Sequence, residues 1–169
     1  MLAEAGGDIE ACRYNRVVGR YYTLDAANDL IGELAAIATR LRDQRAELVV
    51  VRDAYREREG ELTGAMIARD AAGVPDARDD DDPELRRLRL RMRGIVDQMQ
   101  ADVAWLDDRS IVLRDISTGL LDFPALAGGR PVWLCWRLGE EEIVSWHGQE
   151  EGFAGRRSLL DLPDGGARA

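Results

Sequence analysis

From Leu24 onward the apolar residues recur at steps of three and four: Leu24, Ala27, Ile31, Leu34, Ala38, Leu41, then Leu48 and Tyr55, with Arg45 and Arg52 at intervening positions. That period is the mark of an amphipathic helix with coiled-coil-like spacing, and it predicts one helix over about 24–59. Thr23 stands in front of the run as an N-cap, and Asp25 falls in the first turn, where the helix dipole favours negative charge. Such a helix is roughly 50 Å long and needs a partner along its length. Gly60 and Gly64 weaken it, Leu62, Met66 and Ile67 are able to prolong it, and Gly73-Val74-Pro75 ends it. A second stripe, Leu85, Leu88, Met92, Ile95, Met99 and Leu106, predicts a helix over about 83–107, opened by Asp82 as N-cap and Pro83 at the first helical position. Two matched stripes joined by the acidic connector 73–82 predict an antiparallel helical hairpin.

After Arg109 the period changes from 3.6 to 2. Ile111 to Leu113 reads as a short strand, Thr118-Gly119 as a turn, and Leu120 to Phe123 as a second strand stopped by Pro124. Gly128-Gly129 turns the chain into an aromatic and β-branched run from Pro131 to Leu138, and Gly139-Glu140 begins the loop to a returning strand over Glu142 to His147. The expected architecture is α+β: the long hairpin packed against an antiparallel sheet of three or four strands over about 110–147. The chain of 169 residues is the length of one domain. That domain is expected over 20–161, between a mobile extension at 1–19 and a disordered tail at 162–169.

Composition narrows the chemistry. All 23 basic residues are Arg, so Schiff-base lysines, P-loop lysines and Ser-Lys dyads are excluded. A net charge of −9 argues against nucleic acid and anionic membrane as partners, since either needs a surplus of positive charge. The sequence has no apolar run long enough to span a membrane and no signal-peptide core at its N-terminus, which predicts a cytoplasmic protein. Cys12 and Cys135 form no recurring metal or redox spacing and are expected as free thiols.

The segments YYTLDAAN, GLLDFPAL, VWLCWRLGE, IVSWH and GFAGRRSL, in this order around the paired helices, resemble the bacterial domain of unknown function family 2203. The resemblance covers about Arg20 to Leu160. It implies the fold of that family and no activity. The chain departs from the family pattern in its long Asp-rich connector and in Ser158 where Pro is expected.

Candidate chemistry concentrates between Asp122 and Arg157. His147 is the single His, so a metal site could draw only on Asp, Glu or Cys beside it, and without a recurring spacing no metal or other cofactor is expected. Whether Cys135 and His147 share a sheet face turns on loop parity: an odd loop brings them together, an even one separates them. No third residue that would orient a thiol–imidazole pair is evident, and no catalytic residue is assigned. Arg137, Arg156 and Arg157 lie near Trp136, Trp146 and Phe153, with Gly152 and Gly155 leaving backbone N–H groups open to an anion. The candidate ligand-binding set is therefore Arg137, Trp146, His147, Arg156 and Arg157. Its competing explanation is structural: Arg137 pairing with Glu140, Glu141 or Glu142 across the hairpin, and Trp residues serving as sheet core.

The favoured expectation is an interaction or adaptor protein that forms a homodimer, or binds a helical protein partner, through its hairpin. The alternative is an anionic small-molecule-binding module or enzyme with its site on the sheet. Neither nucleic acid nor membrane is expected as a partner.

Overall fold

The computed structural model describes residues 20–72 and 82–162. The expected N-terminal extension, most of the acidic connector and the tail beyond Leu162 lie outside the described residues. The elements are α1 (Leu24–Asn28), α2 (Ile31–Ala71), α3 (Pro83–Asp108), β1 (Val112–Asp115), β2 (Leu120–Ala127), β3 (Arg130–Arg137), β4 (Ser145–Gly148) and β5 (Arg157–Ser158), with short 3-10 turns at Phe153–Gly155 and Leu159–Asp161. They divide into two compact units: one holds residues 40–102, the other the chain on either side of that segment.

Both predicted N-caps are in place. The Thr23 hydroxyl accepts the Ala26 N–H at 3.1 Å, and Asp82 Oδ1 accepts from the N–H groups of Glu84 and Leu85 at 3.0 and 2.9 Å. The expected first helix, however, is interrupted at Asp29-Leu30, so that α1 is a single capped turn and a half before α2 begins. At its other end α2 runs through Gly60 and Gly64 to Ala71, absorbing the roughly 1 kcal/mol that each glycine costs relative to alanine in a helix.

In the helical unit α2 and α3 run antiparallel. Arg40 pairs with Asp102, Gln44 Nε2 donates to Gln98 Oε1 at 3.1 Å, Glu47 pairs with Arg91, and Arg58 pairs with Asp82. Between these polar rungs Val51, Leu88 and Ile95 are buried, with Leu48, Ala54, Tyr55, Met92 and Met99 packed on them. The seam of α2 is thus Leu41, Gln44, Leu48, Val51, Tyr55 and Arg58, a strict alternation of three and four. Arg45 and Arg52, expected at seam positions, are exposed one residue away from it. An unpaired guanidinium in an apolar seam is costly, and the register shift by one residue puts Gln44 and Val51 there instead, while Arg58 sits in the seam paired with Asp82.

The sheet is five-stranded and antiparallel in the order β1-β2-β3-β4-β5, against the expected three or four strands. Pro124 does not stop β2, which continues to Ala127. The Pro124 carbonyl accepts the Tyr22 N–H at 2.8 Å, on the edge of β2 facing away from β3. N and O of one strand residue point to the same side, so the missing Pro N–H falls where the β3 ladder does not need it. Tyr22 completes this edge: its ring packs edge-on against Phe123 at 5.3 Å, and its hydroxyl donates to the Arg109 carbonyl at 2.7 Å. Asn28 Oδ1 accepts the Ile143 N–H at 2.9 Å, tying α1 to the β3–β4 loop. Leu162, expected to begin the tail, is buried.

The turn between β1 and β2 is closed by Asp115, whose carboxylate accepts from Ser117 N, Thr118 N and the Thr118 hydroxyl. Gly119 ends it at φ +63, and a Cβ there would lie 2.6 Å from Leu138 Cβ. Gly129 has a similar φ of +73 but open space around it. Gly119→Ala is therefore expected to destabilise the protein by at least about 2 kcal/mol and Gly129→Ala by about 1 kcal/mol. Paired thermal or urea melts of the two variants check the difference.

Candidate functional site

The register of the sheet decides which side chains meet. Asp122 on β2 is directly opposite Cys135 on β3, and His147 on β4 is opposite Trp133, two residues from Cys135. Since side chains alternate faces, Asp122, Trp133, Cys135 and His147 project from one face of the sheet. The β3–β4 connection of residues 138–144 is odd in length, which is the parity that unites Cys135 with His147. Leu121, Phe123, Leu134, Trp136 and Trp146 occupy the other face, all buried.

Asp122 is the centre of this arrangement and is 1 % exposed, as is His147. Its Oδ2 accepts from Arg114 Nε at 2.6 Å, and His147 Nε2 stands 3.0 Å from the same oxygen. His147 Nδ1 is 2.8 Å from the Gly148 carbonyl, an acceptor, so Nδ1 carries a proton. A neutral ring would then turn the Nε2 lone pair on the Asp122 carboxylate. Both nitrogens donating, with His147 as the imidazolium, removes that repulsion.

The electrostatics agree. Burial opposes charge on Asp122, but the hydrogen bonds from His147 and Arg114 outweigh it and hold the carboxyl below its ordinary range. Burial likewise opposes the His147 charge, and the bonds to Asp122 and to the Gly148 carbonyl outweigh it, raising the imidazole. Burial first, and the Asp122 charge second, push the Cys135 thiol far up, so it is a protonated thiol and a poor nucleophile. Two buried atoms have no hydrogen-bond partner among the described residues on this face: Asp122 Oδ1 and Trp133 Nε1. The Arg114 guanidinium lies over the Trp133 ring at 5.0 Å.

The other candidates from the sequence do not converge with His147. Trp146 is its neighbour on β4 and so faces the opposite side, where its Nε1 donates to the Ser158 carbonyl at 3.1 Å. The Arg157 guanidinium lies over the Trp146 ring at 5.0 Å and also pairs with Glu151. Glu151 in turn accepts the Gly148 N–H at 3.0 Å, and a Cβ on Gly155 would come within 2.4 Å of the Glu151 Cβ. Arg156 Nη2 donates to Glu140 at 2.9 Å and to the Cys135 carbonyl at 3.3 Å. Arg137 is exposed, and its backbone N–H donates to Glu140 Oε2 at 2.9 Å. The anions that the GFAGRR loop and the β3–β4 loop hold are thus the protein's own Glu151 and Glu140.

Asp122, the organising residue, is absent from the set chosen on sequence. A signal was there: in LLDFPALA a carboxylate interrupts an apolar strand, and a buried carboxylate requires a cationic partner.

Fold and site together define an α+β protein with a helical hairpin and a five-stranded antiparallel sheet that buries an Arg–Asp–His network. The family model for the uncharacterised conserved proteins DUF2203 matches residues 20–159, and the chain belongs to that family. Comparison with curated proteins and with solved structures found no match.

The two shifted groups set a pH window. Asp122, depressed in the fold, contributes stability above the unfolded carboxyl value of about 3.9 and loses it as pH falls through its lower folded value. His147, raised, contributes fully below about 6.5 and loses that contribution as pH rises through its folded value. In a chelating buffer, the Tm gap between the wild type and His147→Gln is expected to be widest between about pH 4 and 6.5 and to shrink above it. Asp122→Asn, which removes the carboxylate charge facing the buried His147 and the half-buried Arg114, is expected to cost about 3 kcal/mol at pH 6 by urea denaturation.

Proposed function

We propose that the protein is a self-associating interaction protein that uses the distal part of α2 as its contact element. The observation that carries this reading is the unequal length of the two helices. Arg58 of α2 pairs with Asp82, the cap of α3, so α3 starts beside Arg58 while α2 continues to Ala71. The seam spacing continues with it, through Leu62 and Ala65, and Met66 and Ile67, 45 % and 64 % exposed, lie beside it as apolar flanks. This arm is about 20 Å of helix that extends an established helix–helix seam. The occupant that fits is a second copy of the chain, which carries the same strip and can bury it about a twofold axis. A cytoplasmic location belongs to the same reading; among the described residues no helix is long and apolar enough to cross a membrane.

The competing reading, an anionic small molecule held by Arg137, Trp146, His147, Arg156 and Arg157, has less support. Trp146 and His147 face opposite sides of the sheet, and Glu140 and Glu151 already engage the loop cations.

Leu41, a natural first choice for disrupting the helices, is buried at 1 % exposure, so a charge there would unfold the chain rather than separate copies. Met66→Asp and Ile67→Asp touch the arm alone. Sedimentation equilibrium is expected to give a dimer for the wild type and a folded monomer, with an unchanged circular dichroism spectrum, for the double variant. A wild type that stays monomeric at high micromolar concentration would overturn the proposal.

A further inference from the structure

We propose that Asp122, Cys135 and His147 form a binding site for one divalent transition metal ion of the zinc type. The inference is independent of the association proposed above, because it concerns the sheet and not α2.

The donor set is the first argument. One ligand atom from each of the three residues, a carboxylate oxygen, a thiol sulfur and an imidazole nitrogen, lies within 4.8 Å of the others, and all three residues are buried. Ligands around a tetrahedral zinc are roughly 3.5 Å apart, so side-chain rotations that close the set by about 1 Å suffice. The backbone beneath them is three adjacent strands in fixed register, which holds the donors on one face without a loop rearrangement.

The second argument is orientation. His147 Nδ1 donates to the Gly148 carbonyl, which fixes the ring and directs Nε2 toward Asp122 and Cys135. A backbone carbonyl bonded to the far nitrogen is how metal-ligating imidazoles are commonly held. Arg114, bonded to Asp122 Oδ2, plays the corresponding part for the carboxylate.

The third argument comes from the atom without a partner. Asp122 Oδ1 is buried and has no hydrogen bond of good geometry among the described residues; the facing Cys135 thiol, a weak donor whose raised pKa carries a contribution from Asp122, only partly offsets a deficit of about 1–3 kcal/mol. A metal ion at Oδ1 removes the deficit. Three protein ligands leave a fourth position for water or another small ligand. Trp133, whose Nε1 is also buried without a partner, stands opposite His147 on the same face and offers a donor for it.

Charge balance supports the same conclusion. The charged and titratable groups facing the cluster are Arg114, Asp122, His147 and Cys135, with Arg156 and Glu140 beyond the thiol. On binding, metal–sulfur and metal–nitrogen bonds form as the Cys135 S–H and His147 Nε2–H bonds break, and two protons pass to solvent. A divalent cation replaces two protons, so the buried net charge is unchanged and no new uncompensated charge is created.

The test uses the full chain, stripped with a chelator and titrated with cobalt(II) as a spectroscopic probe, then with zinc(II) read by native mass and by thermal melting. One equivalent of cobalt is expected to give near-ultraviolet thiolate-to-metal charge transfer and the visible bands of a tetrahedral ion. One equivalent of zinc is expected to displace it and raise Tm. Cys135→Ser should lose the charge-transfer band and bind zinc at least about tenfold more weakly. His147→Gln should weaken it similarly. The cobalt spectrum of the wild type needs no variant, so a misfolded mutant does not leave the matter open. Absence of thiolate charge transfer in the folded wild type, or zinc binding that is unchanged in Cys135→Ser, would overturn the proposal and assign the buried network a purely structural part.

Discussion

A carboxylate buried in the middle of a sheet is the constraint that organises this protein. Asp122 is surrounded by apolar strand residues, and an isolated ionised carboxyl in such a place would be protonated or would unfold the sheet. Arg114 and His147 prevent both, each from a different neighbouring strand or the strand beyond it. Their placement requires the register of β1, β2, β3 and β4 to be correct together, since a slip of one residue would send His147 or Asp122 to the opposite face. The network therefore specifies the sheet as much as it stabilises it. The aromatic face, with Phe123, Trp136 and Trp146, is also buried but tolerates rearrangement more readily than a charge pair does.

The helical unit solves a different problem with the same economy of partners. Its seam is apolar at Leu48, Val51, Leu88 and Ile95 and polar at its margins, where Arg40–Asp102, Gln44–Gln98, Glu47–Arg91 and Arg58–Asp82 succeed one another. Most of these pairs are partly exposed and individually worth under about 1 kcal/mol, so their value lies in alignment. They make one antiparallel register better than its neighbours. Asp82 has a double role, capping α3 through Oδ1 and holding Arg58 through Oδ2, which fixes the point at which α3 starts beside α2. The length of α2 beyond that point is the reason for assigning the interaction surface there.

Much of the fold was legible from local rules. Thr23 and Asp82 announced their helices because capping is written within four residues, and the three-four stripes announced the hairpin because its period is local too. The exact seam was less legible: Leu41, Leu48 and Tyr55 are seven apart, and the residue between each pair could be read as Arg45 and Arg52 or as Gln44 and Val51. Packing chose the uncharged pair. The interruption at Asp29-Leu30 and the passage of β2 through Pro124 depend on what lies alongside, which no window of sequence contains. β5 has two residues, too few for any periodicity to register.

The site shows the same division between local and long-range information. His147 was identifiable as chemically unusual because it is the single His, but its partner depends on strands 25 residues apart in sequence being paired through a third. Cys135 and His147 could be placed on one face only once the loop was known to be odd. The arginines were misleading for the converse reason. Arg156 and Arg157 are adjacent in sequence, which suggests one cationic cluster, yet Arg157 stacks on Trp146 while Arg156 reaches the Cys135 carbonyl and Glu140. Each guanidinium meets a carboxylate from the acidic loops that precede it, Glu140 and Glu151. In a chain with 32 acidic residues against 23 basic ones, a cation near a loop finds an internal anion more readily than an external one. On the buried face Asp122 Oδ1 and Trp133 Nε1 present an acceptor and a donor that the strands themselves do not satisfy. In a sheet otherwise hydrogen-bonded through register, that pair of atoms is where an added ligand changes the energetics most.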